Sequence, residues 1–516
     1  NARSASQAII TNFDGTNTVP TLDDFVNVGV TGVISGQIAA INTFIAVRPT
    51  VDTDSQVEVQ AIVDAYAKLV SSANGLADGG VPLSANEFAT LGLSSVDSSA
   101  EVSLLNDLID GRSGTAVDSY AEVAALASIV TRFIGEAAGV ASSPALTPAD
   151  FVALGISRVT AENLAEVLIA IRASADDGSE IDTLTEVRTL VDTAVALSRQ
   201  NAIDTISRYD GTSATTTPAL ADFANAGVTG VTNGNLLSVN TAFAVIGIAD
   251  SDATEEIQGL VSGYVTILLG ADGQRDSDVS LSSSDYVAMN LARVDTSGKA
   301  DLLNQIFDGL LIAKVDAYSE LQAASDVVAD IFLTATGAQP QTALTVARLE
   351  VVGLSGITSD NIALLVAAIA NTSDDTLGVD SFAEVQAIVN QVRASQAGAL
   401  GVISAYDGTN TVPSVNTLQS AGITGVDSSN IGIINQYLAT MSAELTDSVA
   451  EVQALVNALS KLLICADGTA NNNCTFTAAE FHSMGYLDID TQEEIDALNI
   501  ELDTLDLTPM QESIAA

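Results

Sequence analysis

Residues 54–63 read Asp-Ser-Gln-Val-Glu-Val-Gln-Ala-Ile-Val, and close variants of this stretch return along the whole chain. The acid anchors are Glu58, Glu122, Glu186, Glu256, Glu320, Glu384 and Glu451, each four residues after Asp54, Asp118, Asp182, Asp252, Asp316, Asp380 or Asp447. Self-similarity at a fixed period predicts an array of supersecondary units. A second landmark fixes the register, a large apolar residue followed four positions later by a turn residue. It occurs as Phe25 and Gly29, Phe88 and Gly92, Phe151 and Gly155, Phe223 and Gly227, Tyr286 and Asn290, Leu349 and Gly353, Leu418 and Gly422, and Phe481 and Gly485.

The turn residues are spaced by 63, 63, 72, 63, 63, 69 and 63 residues, so every third junction is longer. Units therefore cycle through three types, A, B and C, in a superrepeat of about 195 residues. The expected order is a C-type tail over 1–15, A1 over 16–77, B1 over 78–139 and C1 over 140–210. A2 follows over 211–270, B2 over 271–335, C2 over 336–407, A3 over 408–464, and a truncated B3 over 465–516. A units open with Phe13-Asp14-Gly15, Tyr209-Asp210-Gly211 and Tyr406-Asp407-Gly408. B units are aligned on Ala77-Asp78-Gly79, Ala271-Asp272-Gly273 and Ala466-Asp467-Gly468.

Each unit reads as three helices, which makes the fold class all-α. The first is short and opens with a capping box such as Thr21 with Asp24, Ser84 with Glu87 or Thr147 with Asp150. Gly29 and its counterparts end it, since glycine enters the left-handed region without a Cβ clash. The second is expected to begin near Thr160, Thr232, Thr358, Asp427 or Asp490. The third opens at Ser55 with Glu58, Ser119 with Glu122, Thr183 with Glu186, Ser381 with Glu384 and Ser448 with Glu451, and is expected to reach Leu76 in the first unit. All fourteen anchor acids thus read as helix-capping groups, favoured by the helix dipole. In C units the third helix is longer and reads as a strut to the next block. Residues 3–15 match the end of such a helix at 393–408, while B3 has only Thr508-Pro509-Met510-Gln511-Glu512 in place of a full third helix.

Composition narrows the function. There are 65 acidic against 17 basic residues, a formal charge of −48. A field of that sign repels nucleic acid and anionic lipid and calls for screening by salt or cations. No apolar run is long enough to span a membrane. The only cysteines, Cys465 and Cys474, flank a polar loop that a disulfide would close readily, with free thiols as the alternative. One histidine, His482, and no Walker or nucleophile-elbow motif argue against an enzyme, and no cofactor or catalytic residue is assigned.

The Asp-Gly loops are weighed as calcium sites. From Asp14 an EF-hand ladder fails because Pro20 and Phe25 fall where oxygen ligands belong. From Asp272 it includes Asp276 and Asp278, but Ser283 stands where a bidentate Glu is needed. The structural reading is a turn; the alternative is an irregular calcium site at Asp14, Asp210, Asp407 or at Asp272, Asp276 and Asp278.

The runs Tyr-Asp-Gly-Thr-Asn-Thr-Val-Pro from 406, Asp-Phe-x-x-x-Gly-Val-Thr-Gly-Val from 24, Asn-Leu-x-x-Val-Asn from 235 and Glu-Val-Gln-Ala-Leu-Val from 451 resemble helical repeats of giant acidic surface or secreted proteins of proteobacteria, of adhesin or matrix type. The departures are the Cys465 loop and Arg348-Leu349, which replace the usual acid and aromatic. The resemblance implies an extended extracellular body. The expected function is a structural, self-associating subunit of a filament, sheath or surface layer, whose partner is another copy of itself. The alternatives are a passive stalk of a giant adhesin and a calcium-tuned binding module.

Overall fold

A computed structural model describes residues 1–372, 377–471 and 473–507. Among the described residues the chain is all-α, with 24 α-helices and three isolated β-bridges. None of these helices is long and apolar enough to cross a membrane. The chain divides into two compact units, Asn1–Arg208 with Thr216–Val228, and Tyr209–Thr215 with Thr229–Ala516.

In the first unit α1 (Ala2–Thr11) precedes a short, medium, long succession that then repeats. It consists of α2 (Leu22–Val28), α3 (Ile38–Ile45) and α4 (Gln56–Ser72), then α5 (Ala85–Thr90), α6 (Ser99–Asp110) and α7 (Tyr120–Ala137). A third round follows with α8 (Pro148–Ala153), α9 (Leu164–Arg172), α10 (Leu184–Ser207) and the next short helix, α11 (Leu220–Asn225). The second unit holds α12 (Leu236–Phe243), α13 (Thr254–Gly270), α14 (Ser283–Ala288), α15 (Ser297–Asp308), α16 (Tyr318–Ala335), α17 (Val346–Val351), α18 (Ile362–Ala370) and α19 (Phe382–Ser404). It ends with α20 (Val415–Ser420), α21 (Ile431–Leu438), α22 (Val449–Cys465), α23 (Ala478–Ser483) and α24 (Gln492–Thr504). The long helices run 17, 18, 24, 17, 18, 23 and 17 residues.

Each short helix is a peg. Phe25, Phe88, Phe151 and Phe223 are buried in the first unit, as are Tyr286, Leu349, Leu418 and Phe481 in the second. Gly29 sits at φ +93°, and Val30 N–H donates to the Phe25 carbonyl while Gly29 N–H donates to Val26. This closure ties the peg to the chain that leaves it, and Asn290 at φ +59° makes the same turn. Buried asparagines hold the loop that enters the peg. Asn42 donates to Pro20 O, Asn106 exchanges two hydrogen bonds with the Leu83 backbone, and Asn435 donates to Pro413 O.

Three expectations are corrected. The medium helix starts about four residues later than the spacing predicts, at Leu164 rather than Thr160. Asn163 accepts from Thr160 N and donates to Arg158 O, which closes a turn before the helix, and Asn235, Asn361 and Asn430 repeat the clamp. Near Asp490 the helix starts at Gln492, capped by Thr491.

Helix α4 stops at Ser72, four residues short of Leu76. Asn74 pairs with Ser113, and Gly75 N–H donates to Arg112 O, so the backbone is drawn away from the helix axis. The same bridge recurs as Asp272 with Leu311 and Asp467 with Asp506. This shifts the alignment of the B units. The counterpart of Ala271-Asp272-Gly273 is Ala73-Asn74-Gly75, not Ala77-Asp78-Gly79. Residues 508–512 lie outside the described residues.

Candidate functional site

The recurring acid motif is built from the backbone upward. Ser55 caps α4: its hydroxyl accepts from Glu58 N at 3.3 Å, and Glu58 Oε2 accepts from Ser55 N at 3.0 Å. Ser119, Thr183, Ser381 and Ser448 repeat this box with Glu122, Glu186, Glu384 and Glu451. Ala253 and Ala317 have no hydroxyl, so Glu256 and Glu320 keep only the half in which the carboxylate takes the cap residue's N–H. The Ser55 hydroxyl and amide hold Glu58 below the ordinary carboxylate range. Each such box contributes about 1 kcal/mol to its helix.

The aspartates of the motif differ by location. Burial, then Glu186 and Asp107, push Asp182 up; burial, then Glu384 and Asp301, do the same to Asp380. These are the two junctions where acids crowd. There a groove of about 550 Å³ is lined by Ser84, Asn106, Asp107, Asp110 and Thr183, and its counterpart of about 350 Å³ by Ser280, Asp301, Asn304, Asp308 and Asp380.

Two contributors were invisible in the sequence. The first is the Gln of Glu-Val-Gln: Gln60 accepts from Thr31 N at 2.8 Å and donates to Thr31 O at 3.0 Å. Gln258 with Thr229, Gln386 with Ser355 and Gln453 with Thr424 do the same. The signal available was a constant 29-residue offset in the A units. The second is a buried aspartate on the medium helix. Asp308 accepts from the amides of Ser277, Asp278 and Val279, while Asp110 takes Gly79 N and Asp503 takes Asn473 N.

Successive rounds are joined by hydrogen bonds of fixed reach. Tyr120 N donates to Thr43 Oγ1, Leu184 N to Asp107, Tyr318 N to Thr241 Oγ1 and Phe382 N to Gln305, each across 77 residues. Ion pairs also bridge four of the long helices to the next short one. Lys68 meets Glu87, Arg132 meets Asp150, and Lys461 meets Glu480. Arg348 meets Asp330, which Arg293 also contacts.

The calcium candidates separate into two kinds. Asp14 accepts from Thr16 N, Thr16 Oγ1 and Asn17 N, and Asp407 accepts from the matching Thr409 and Asn410. Hydrogen bonds from Thr215 and Thr212 hold Asp210 at about 2. Their oxygens are spent on local turns. Asp272, Asp276 and Asp278 instead form the one described trio whose carboxylate oxygens lie within 4.8 Å of one another, all exposed. Repulsion from Asp276, followed by burial, pushes Asp278 up.

Cys465 and Cys474 are bonded to each other, and such a bond persists in an oxidising compartment. It stands where Gly270 and Val279 pack 195 residues earlier, a contact so close that a Cβ on Gly270 would meet Val279 Cγ2 at 2.5 Å. His482 Nε2 lies 3.2 Å from Asp490.

A different groove lies between the loop that precedes α9 and helices α10 and α11. It measures about 560 Å³ and is lined by Arg158, Asn163, Asp192, Val195, Ala196, Arg199, Ala224 and Asn225. In the second unit a groove of about 560 Å³ occupies the matching place, with Arg393 in its lining. Comparison with family models, with curated proteins and with solved structures finds no match to this chain.

Proposed function

We propose that the chain is a tandem array of about eight three-helix units, and that it works as an extracellular structural protein that associates with copies of itself into a filament, sheath or surface layer. The observation that supports the array is the set of four amide donations spanning 77 residues, two within each compact unit, because each joins a round to the one before it in the same way. A unit of about 63 residues buries too little surface to be secure alone, so neighbours supply much of its stability. The disulfide and the acidic surface favour an exterior location. The resemblance to giant acidic surface proteins agrees with it.

Each unit is small, polar at its caps and joined through regular contacts rather than through one deep cavity, which suits a part whose task is length. Electron microscopy of the purified full chain in physiological salt tests the reading. Elongated particles that associate with rising concentration are expected. Monodisperse compact particles at every concentration would overturn it.

A further inference from the structure

The 17 basic residues are unevenly placed. Five of them, Arg158, Arg172, Arg188, Arg199 and Arg208, fall between residues 140 and 210, whereas none occurs after Lys461. Arg172 is committed to the buried Glu136 at 2.7 Å, and Arg208 to Asp204 within its own helix. Arg188 and Arg199 are exposed, lie on one face of α10 eleven residues apart, and form no ion pair among the described residues. Arg188 lies against Gly155, in the loop that leads to Arg158. Arg158 is exposed too, and its one carboxylate partner is Asp192, at 3.1 Å.

A chain of charge −48 that leaves Arg199 exposed and unpaired in a groove and Arg188 exposed and unpaired beside it, with Arg158 shared with Asp192, holds a local attraction inside a repulsive field. Between them Val195, Ala196 and Ala224 form an apolar strip flanked by the polar side chains of Thr160, Asn163 and Gln200. An occupant should therefore be a helix with acids flanking an exposed aliphatic residue. Helix α24 has that face. Glu493, Asp496, Ile500 and Glu501 share one side at helical spacing, all four are exposed, and Ile500 is 66% accessible. No Lys or Arg lies near them in sequence to compete.

Resting on the self-association reading, we infer that α24 of a second copy docks into the groove between the loop that precedes α9 and helices α10 and α11. Ile500 faces Val195 and Ala196, and the carboxylates of Glu493, Asp496 and Glu501 meet Arg158, Arg188 and Arg199. This is helix-in-groove recognition with a charged rim, and the rim sets register and encounter rate. It makes assembly sensitive to salt in the direction opposite to the global charge. Screening weakens this contact even as it relieves repulsion between whole chains.

The test is sedimentation velocity of the full chain over a wide concentration range, for the wild type, Arg158→Glu/Arg199→Glu and Glu493→Arg/Glu501→Arg. All four positions are exposed, so circular dichroism and melting temperature serve as folding controls. Each double variant alone should self-associate about tenfold more weakly, and an equimolar mixture of the two should regain association because the charges are again opposite. Wild-type assembly with no loss in either variant would overturn the docking and leave self-association standing. A wild type that stays monomeric would overturn both. A loss that the mixture does not restore would also overturn the pairing.

Discussion

Asp330 and Arg348 occupy the places that Arg132 and Asp150 hold 198 residues earlier, with the charges exchanged. Both pairs join a long helix to the following short one, at 2.7 and 2.6 Å. The exchange is accommodated on both sides. Arg348 N still receives a cap from Thr345, but the reciprocal carboxylate of the capping box is gone. Asp330, fully buried, gains Arg293 and the amides of Gln341 and Thr342.

Arg132→Asp should destabilise the first unit by about 3 kcal/mol, since it leaves two carboxylates facing each other in a largely buried pair. Adding Asp150→Arg should recover all but about 1 kcal/mol, the share of the lost capping box. Urea denaturation of the full chain measures both. A double variant no more stable than the single one would show that the two junctions are not equivalent.

The acids respond to pH in opposite senses. The Lys68 hydrogen bond and the Ser84 amide hold Glu87 at about 2, against an ordinary 4.5, so its contribution is complete above 4.5 and is lost as the pH falls toward 2. Asp182 and Asp380 are shifted upward. Their penalty is complete above the raised folded value and disappears as the pH falls below the ordinary 3.8. Asp182→Asn and Asp380→Asn should therefore raise the melting temperature at neutral pH and leave it unchanged near pH 3. Calorimetry at the two pH values decides.

Gln60→Ala should cost about 1 kcal/mol, the net worth of the two exposed hydrogen bonds to Thr31. Because Gln60 and Gln258 clamp different rounds, the double substitution Gln60→Ala/Gln258→Ala should cost the sum of the two. Hydrogen exchange should speed up around Thr31 and Thr229 and not between them.

Reduction of Cys465–Cys474 should lower stability locally, by about 2.5–3 kcal/mol for a loop of this length. Faster exchange should be confined to the stretch from α22 to α24. The equivalent position 195 residues earlier is filled by Gly270 against Val279, with no covalent bond.

Much of this was legible in the sequence because capping chemistry is local. Ser55 and Glu58 sit three residues apart, so the box that starts α4 can be read directly, and Phe25 with Gly29 announces the peg and its closing turn. The spacing sets the medium helix too early because Asn163 acts through a side chain that imitates a turn, and Thr160 reads equally well as a cap. The register of the B units is not legible locally because Asp78-Gly79 looks like Asp272-Gly273, whereas the bridge from Asn74 to Ser113 depends on residues far apart in sequence. The role of Gln60 was hidden for the same reason: nothing local distinguishes a solvent-facing Gln from one that grips a backbone 29 residues earlier. The grooves, each formed by a loop and helices distant in sequence, have no local signature.

The amide donations that span 77 residues give the molecule a direction in time as well as in space. The first amide of α7, α10, α16 and α19 is satisfied by a side chain of the preceding round, which leaves the ribosome earlier. Within each compact unit a completed round thus waits, at these four places, as a template for its successor. A chain growing from its amino end can add rounds in order, with no need for its final residues to be present before the first ones settle.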